Sequence, residues 1–255
     1  MRIDLSSKTI LITGGLGAIA EAILKALSGA GASLVVTDLR SADEAEPILA
    51  EWGLSGAAYY PLDICSPDEM ETTLPAILER HPEVNIALGH AGGTRITPFA
   101  ECTREQFDRI VQFNLVAQTY FARAVLGHWT ERQVQGQLIF TSSYISRIPM
   151  AGIAAYVMSK AALEMFAKNL ALEYAPQGIR VNCVSPGNVA AGSSKVLYDS
   201  DPVYKEWVDR ISPLGKRNSP EAIANAFLYL CSGLGDEVDG QVIQVDAGVG
   251  LPKLG

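Results

Sequence analysis

Thr13-Gly14-Gly15-Leu16-Gly17-Ala18-Ile19-Ala20 joins an apolar run, Lys8 to Thr13, to an amphipathic run, Gly17 to Ala30. Read as G-x-G-x-x-G/A, the matching residues are Gly15, Gly17 and Ala20. Glycines between a strand and a helix let the backbone turn tightly and come close to a pyrophosphate. The helix start then offers free N–H groups to the anion. Taken alone, the same letters also describe an ordinary tight βα turn.

The rest of the chain repeats the strand-then-helix unit. Apolar runs at Ser33 to Thr37, Ala57 to Pro61, Val84 to Gly89, Gln137 to Ser142, Ile179 to Val184 and Gln241 to Val245 read as further strands. Helical stretches lie between them at Ala42 to Trp52, Pro67 to Arg80, Arg104 to Arg132, Ala154 to Ala175 and Pro220 to Ser232. Near-continuous apolar strands alternating with helices predict a parallel sheet of about seven strands, covered on both faces. No linker divides the chain, so residues 1–255 are expected to form one domain. Pro186 to Lys216 reads as irregular, and a lid is expected within about 188–216.

Bulk properties remove several classes. The 255 residues are 48% hydrophobic, with net charge -8 and mean hydropathy +0.16. No Lys/Arg cluster exists to neutralise phosphates, which argues against nucleic acid and anionic membranes. Cys65, Cys102, Cys183 and Cys231 are widely spaced and form no CxxC pair. Neither a disulfide framework nor a metal site is expected. Met1-Arg2-Ile3-Asp4-Leu5 has no apolar signal core, and no run is long enough to span a membrane, so the cytoplasm is the expected address.

The second strand leads to Asp38, about twenty residues after the glycine loop, where a ribose-binding acid belongs. Its carboxylate accepts from ribose hydroxyls and repels a 2′-phosphate. The next residue is Leu39, not a base. This favours NAD over NADP, with Arg40 as the dissenting neighbour. Asp38 alone could equally be a surface turn residue.

Tyr156-Val157-Met158-Ser159-Lys160 sets a phenol and an ammonium four residues apart, on one helix face. A nearby cation lowers a tyrosine pKa and makes the phenol a usable acid/base. The pair could also be an ordinary exposed helix contact.

With these residues in place the whole chain resembles the short-chain dehydrogenase/reductase family, a Rossmann-like doubly wound fold. The family's Tyr and Lys match Tyr156 and Lys160, its Ser matches Ser143, and its Asn matches Asn114. The resemblance implies that Tyr156 exchanges a proton with the substrate oxygen while Ser143 holds that oxygen. It implies that Lys160 lowers the Tyr156 pKa and holds the nicotinamide ribose, and that Asn114 positions a water linking Lys160 to solvent. It places the cofactor on Gly14, Gly17, Ala18 and Ile19 in the loop and on Asp38. Asp63 and Ile64 follow at the adenine end, with Ala91 and Gly92 after the fourth strand. Pro186, Gly187 and Val189 complete the set after the sixth strand.

The departures from the family pattern are local. Ala18 and Ala20 replace the last two glycines of T-G-x-x-x-G-x-G. His90 replaces an Asn that ties the sheet together; it is expected to do the same structural work as a neutral ring, the competing reading being a ring that reaches the cofactor or substrate and titrates there. Ala191 stands where a Thr often bonds the nicotinamide amide, a contact that Ser193 or Ser194 could supply. The substrate pocket is expected between Gly93-Thr94-Arg95, Tyr144-Ile145 and a segment carrying Tyr198, Tyr204 and Trp207. That mixture suits a small polar substrate such as a sugar, polyol or hydroxy ketone, with a 3-oxoacyl thioester or steroid as the alternative. A non-catalytic NAD-binding sensor, and an epimerase or dehydratase, are the competing readings. Members of the family are commonly tetramers that pair their two long helices, here around 104–132 and 154–175, and the apolar excess on those helices agrees with a homo-oligomer, a tetramer or dimer.

Overall fold

The structure, a computed structural model, describes residues 3–251, apart from the Ser193 side chain. Seven parallel strands form one sheet in the order β3-β2-β1-β4-β5-β6-β7. They are β1 (Thr9–Thr13), β2 (Ser33–Asp38), β3 (Ala58–Pro61), β4 (Val84–Gly89), β5 (Gln137–Thr141), β6 (Arg180–Pro186) and β7 (Val242–Val245). The chain winds outward from β1 to β3, then returns to place β4 on the other side of β1. Strand order reverses there, so the loops after β1 and β4 part and leave a crevice at the carboxyl ends.

The central strands are buried on both faces, which is why they read as unbroken apolar runs. In β1, Ile10 and Ile12 join one core, with Ile23, Leu24 and Phe227. Leu11 joins the other, with Leu74, Phe121 and Leu163. The first core lies under α1 (Ala20–Gly29), α2 (Ala42–Glu51) and α9 (Pro220–Cys231). The second lies under α3 (Pro67–Arg80), α5 (Ala117–Arg132) and α6 (Ala154–Tyr174). Trp129 sits fully buried in this second core, and its indole N–H donates to the Val84 carbonyl at 2.7 Å. Trp129→Ala is expected to cost roughly 3–5 kcal/mol, because it opens a cavity and removes the indole hydrogen bond to that carbonyl. Urea unfolding monitored by circular dichroism measures the loss.

Helix starts follow local chemistry. Ser41 and Thr103 make reciprocal capping boxes with Glu44 and Gln106. Ser66, Asp201 and Ser219 cap helices whose next residue is proline. α1, like α6 and α7 (Gly192–Ser200), lacks such a side-chain cap, and it starts only at Ala20. Gly17 to Ile19, read above as helix, belong instead to the turn.

Two further expectations are corrected. Arg104 to Arg132 is not one continuous helix. α4 (Arg104–Val111) passes into a single π-helical stretch, Gln112–Val116, before α5. Such widened turns recur at functional sites. The stretch after Pro186 is not irregular either; it folds into α7 (Gly192–Ser200) and α8 (Pro202–Ile211). Among the described residues no helix is long and apolar enough to cross a membrane.

Candidate active site

The glycine turn is strapped to the end of β2. Gly15 N–H donates to the Thr37 carbonyl at 2.9 Å, and Leu16 N–H donates to Asp38 Oδ2 at 3.0 Å. Arg40 reaches back to the Leu16 carbonyl at 3.1 Å. Gly14 takes a left-handed φ of 67°, and a Cβ there would lie 2.8 Å from the Ala91 Cα. Only glycine lets the turn sit this close to the exit of β4.

A cavity of about 1270 Å³ crosses the carboxyl ends of the strands. Gly14, Gly17, Ala18 and Ile19 line it beside Asp38, Asp63 and Ile64. Ala91 and Gly92 follow, then Ser143, Tyr156 and Lys160, and finally Pro186, Gly187 and Val189. Of the catalytic and cofactor-binding positions that the resemblance implies, all except Asn114 line this one crevice. Its shape fits a dinucleotide: a glycine cradle that a Cβ would fill, an uncapped helix start beside it, and a carboxylate at the end of β2.

α6 carries Tyr156 and Lys160 one turn apart. Lys160 is buried, and its ammonium donates to the Thr141 carbonyl at 2.8 Å, 5.7 Å from the Tyr156 ring centre. Gly92 makes room for this convergence, since a Cβ there would meet Asn114 Oδ1 at 2.9 Å and Lys160 Nζ at 3.1 Å. Asn114 itself does not line the cavity. Its side-chain amide donates to the Gly93 carbonyl at 2.8 Å and, across the π turn, to the Ile110 carbonyl at 2.9 Å. Its oxygen accepts from Gly93 N–H at 3.0 Å. It therefore buttresses the Gly92-Gly93 wall from behind.

Burial pushes the Tyr156 phenol up to about 12, opposed by a hydrogen bond from Ser143. Burial also pulls Lys160 down to about 8. Desolvation of the phenol is set by burial, which spacing along a helix does not report.

His90 does the structural work expected of it. Its N–H donates to Thr13 Oγ1 at 3.2 Å and its ring bonds Thr141 Oγ1 at 2.8 Å, tying the exits of β1, β4 and β5 together. Burial, then the charge of Lys160, holds its pKa down to about 4. The depressed value keeps the ring neutral above that pH. His90→Asn is therefore expected to leave the pH–rate profile unchanged between about pH 5 and 9. A limb that vanishes in the variant would assign the titration to His90.

The substrate walls are corrected in part. Thr94, Tyr144, Ile145 and Tyr204 line the cavity. Arg95 does not; its loop turns it into a small side pocket with Phe99 and Cys102. Tyr198 points away, donating to Asp209 at 2.7 Å, while Trp207 stacks behind Tyr204. Ser194, one of two candidates to replace the missing Thr, is engaged by Asn188 and Arg217. The side chain of Ser193, the other candidate, lies outside the described residues.

A family model described as enoyl-(acyl carrier protein) reductase matches residues 15–250. The solved structure of a short-chain type dehydrogenase/reductase from Mycobacterium marinum is 30% identical, covers 98% of each chain and superposes with a TM-score of 0.88. The chain belongs to the short-chain dehydrogenase/reductase family. It is similar, at 28% identity over 96% of its length and 94% of the relative's, to a 2-dehydro-3-deoxy-D-gluconate 5-dehydrogenase of Formosa agariphila. A 3-oxoacyl-[acyl-carrier-protein] reductase of Chlamydia pneumoniae is 29% identical over 98% of this chain and 99% of its own. As a short-chain dehydrogenase/reductase the protein is an oxidoreductase served by a nicotinamide cofactor. Sequence reasoning missed Thr141, whose carbonyl accepts from Lys160 and whose hydroxyl shares a hydrogen bond with the His90 ring. Its place at a strand's carboxyl end was the available signal. Leu197, on the unforeseen α7, was missed with its helix.

Proposed function

We propose that the protein is an NAD-dependent dehydrogenase/reductase that interconverts a secondary alcohol and a ketone. The observation that carries this reading is the convergence of Ser143, Tyr156 and Lys160 on one end of a crevice whose other end holds Asp38. The nicotinamide accepts or delivers the hydride when bound. Gly14, Gly17, Ala18 and Ile19 cradle its pyrophosphate, Asp38 takes the adenosine ribose, and Asp63 and Ile64 flank the adenine. Ala91 and Gly92 form the floor. Pro186, Gly187 and Val189 hold the nicotinamide end.

Ser143 donates to the substrate oxygen and fixes it beside the Tyr156 hydroxyl. Tyr156 gives that oxygen its proton in reduction and takes it back in oxidation. Lys160 stabilises the phenolate and holds the nicotinamide ribose. Asn114 keeps the Gly92-Gly93 wall in place around Lys160. α7 and α8, within residues 188–216, act as the lid of one catalytic unit. Because the buried phenol holds its proton to about 12, it is a ready donor at neutral pH. Alcohol oxidation needs that proton removed first. Its kcat/KM is therefore expected to climb from about pH 7 to 10, while carbonyl reduction does not rise with it. Initial rates in both directions check the sign.

The substrate is read as a small polar carbonyl compound or alcohol: a sugar, polyol or hydroxy ketone. Thr94, Arg109 and Tyr204 offer polar contacts in the cavity, and the Formosa agariphila relative bears a sugar-acid name. A second reading, a 3-oxoacyl thioester, draws support from the aliphatic wall of Ile96, Ile145, Met150 and Ile153. We place the protein in the cytoplasm as a homo-oligomer. Met158, Met165 and Leu172 form an exposed apolar stripe along α6 that suits a subunit contact. Absorbance at 340 nm with NAD and a panel of sugars, sugar acids, polyols and a 3-hydroxyacyl thioester tests the activity. NAD binding with no turnover across the panel would favour a sensor instead.

A further inference from the structure

One buried carboxylate plays no part in the reaction just described. Glu164 lies on α6 two turns beyond Tyr156 and one beyond Lys160, on the same helix face, and is 6% exposed. Its Oε1 accepts from Ser142 Oγ at 2.8 Å and from Ser146 Oγ at 2.6 Å. Its Oε2 faces Arg147 Nε at 3.4 Å.

These partners bracket Ser143. Ser142 is its neighbour in sequence. Ser146 donates its own N–H to the Ser143 carbonyl at 3.0 Å. One turn earlier, Lys160 holds the Thr141 carbonyl. The helix that carries the phenol thus grips the segment carrying Ser143 at residues before and after it. A buried ion is weak evidence for stability, since its desolvation offsets most of what its partners return. Its geometric effect is more definite, because two hydroxyls and a guanidinium must point at one fixed carboxylate.

We propose that Glu164 is a positioning residue, fixing the Ser143 turn at its working distance from Tyr156. This rests on the reading that Ser143 holds the substrate oxygen. Misplacing a reacting group by about 1 Å costs up to roughly 10²-fold in rate, so the expected losses are measurable.

The test uses the full chain. Glu164→Ala is expected to lower kcat by about tenfold or more with wild-type Ser143, but by less than about twofold in the Ser143→Ala background. Glu164→Gln, which keeps an accepting oxygen, recovers part of the loss and serves if the Ala variant folds poorly. The substrate is whichever member of the panel turns over. Hydrogen exchange supplies a readout that needs none: amides 143–147 should exchange faster in Glu164→Gln, with the rest of α6 unchanged. A Glu164 effect of equal size with and without Ser143, or unchanged exchange at 143–147, overturns the proposal. If Ser143→Ala itself leaves kcat intact, the catalytic reading fails, while the exchange experiment still decides whether Glu164 fixes the turn.

Discussion

Tyr156→Phe is expected to lower kcat by between about 10²- and 10⁴-fold, the range typical of a lost general acid/base, while NAD binds with unchanged affinity. The variant removes one oxygen from a ring whose neighbours stay in place. Lys160 is held by the Thr141 carbonyl, not by the phenol. Ser159 bonds the backbone carbonyl of residue 156, so the helix turn survives as well. The measurement pairs NADH formation at 340 nm with isothermal titration of NAD. A loss under about tenfold would move the proton transfer to another group. A parallel loss of binding would mean that the phenol serves the cofactor rather than the reaction.

Asp38→Asn is expected to raise the ratio of kcat/KM with NADP to that with NAD by about a hundredfold or more. A carboxylate facing a 2′-phosphate costs several kcal/mol, and each 1.4 kcal/mol is a factor of ten. Asparagine is the informative change because its oxygen still accepts from Leu16 N–H, the bond that Asp38 makes at 3.0 Å. The turn is preserved and only the charge is lost. Arg40 is not expected to undo the proposed preference, since its guanidinium is tied to the Leu16 carbonyl and does not line the cavity. Equal use of both cofactors by the wild type would overturn the assignment. So would a variant whose preference does not move.

The sheet was readable because its strands are buried on both sides. Val84–Gly89, for example, has the bounds read from its apolar run. Pro67–Arg80 was equally plain, with a serine cap and a proline at its start. Other features are not written in local pattern. A π turn uses the same helix-forming residues as the helices around it, so Gln112–Val116 read as continuous helix. α8 did carry a signal, Asp201 followed by Pro202, but the polar residues around it masked the helix. Arg95 failed for another reason: sequence places a residue on a loop, not the direction of its side chain. Tyr156 and Lys160 were found by spacing, whereas the rise of the phenol's pKa depends on burial, which spacing does not carry.

A dinucleotide held at the uncapped start of α1 would link the protein's persistence to its supply. Helices that open with Ser, Thr or Asp close their own first turn; α1, like α6 and α7, has no such cap, and its start lies on the glycine turn proposed to hold the dinucleotide. A ligand bound only by the folded chain stabilises it by mass action, by about 2.7 kcal/mol at one hundred times its Kd. The opened, protease-sensitive population shrinks by the same factor. On this view the coenzyme pool of the cell governs how long each copy of the protein survives, as well as how fast it turns over.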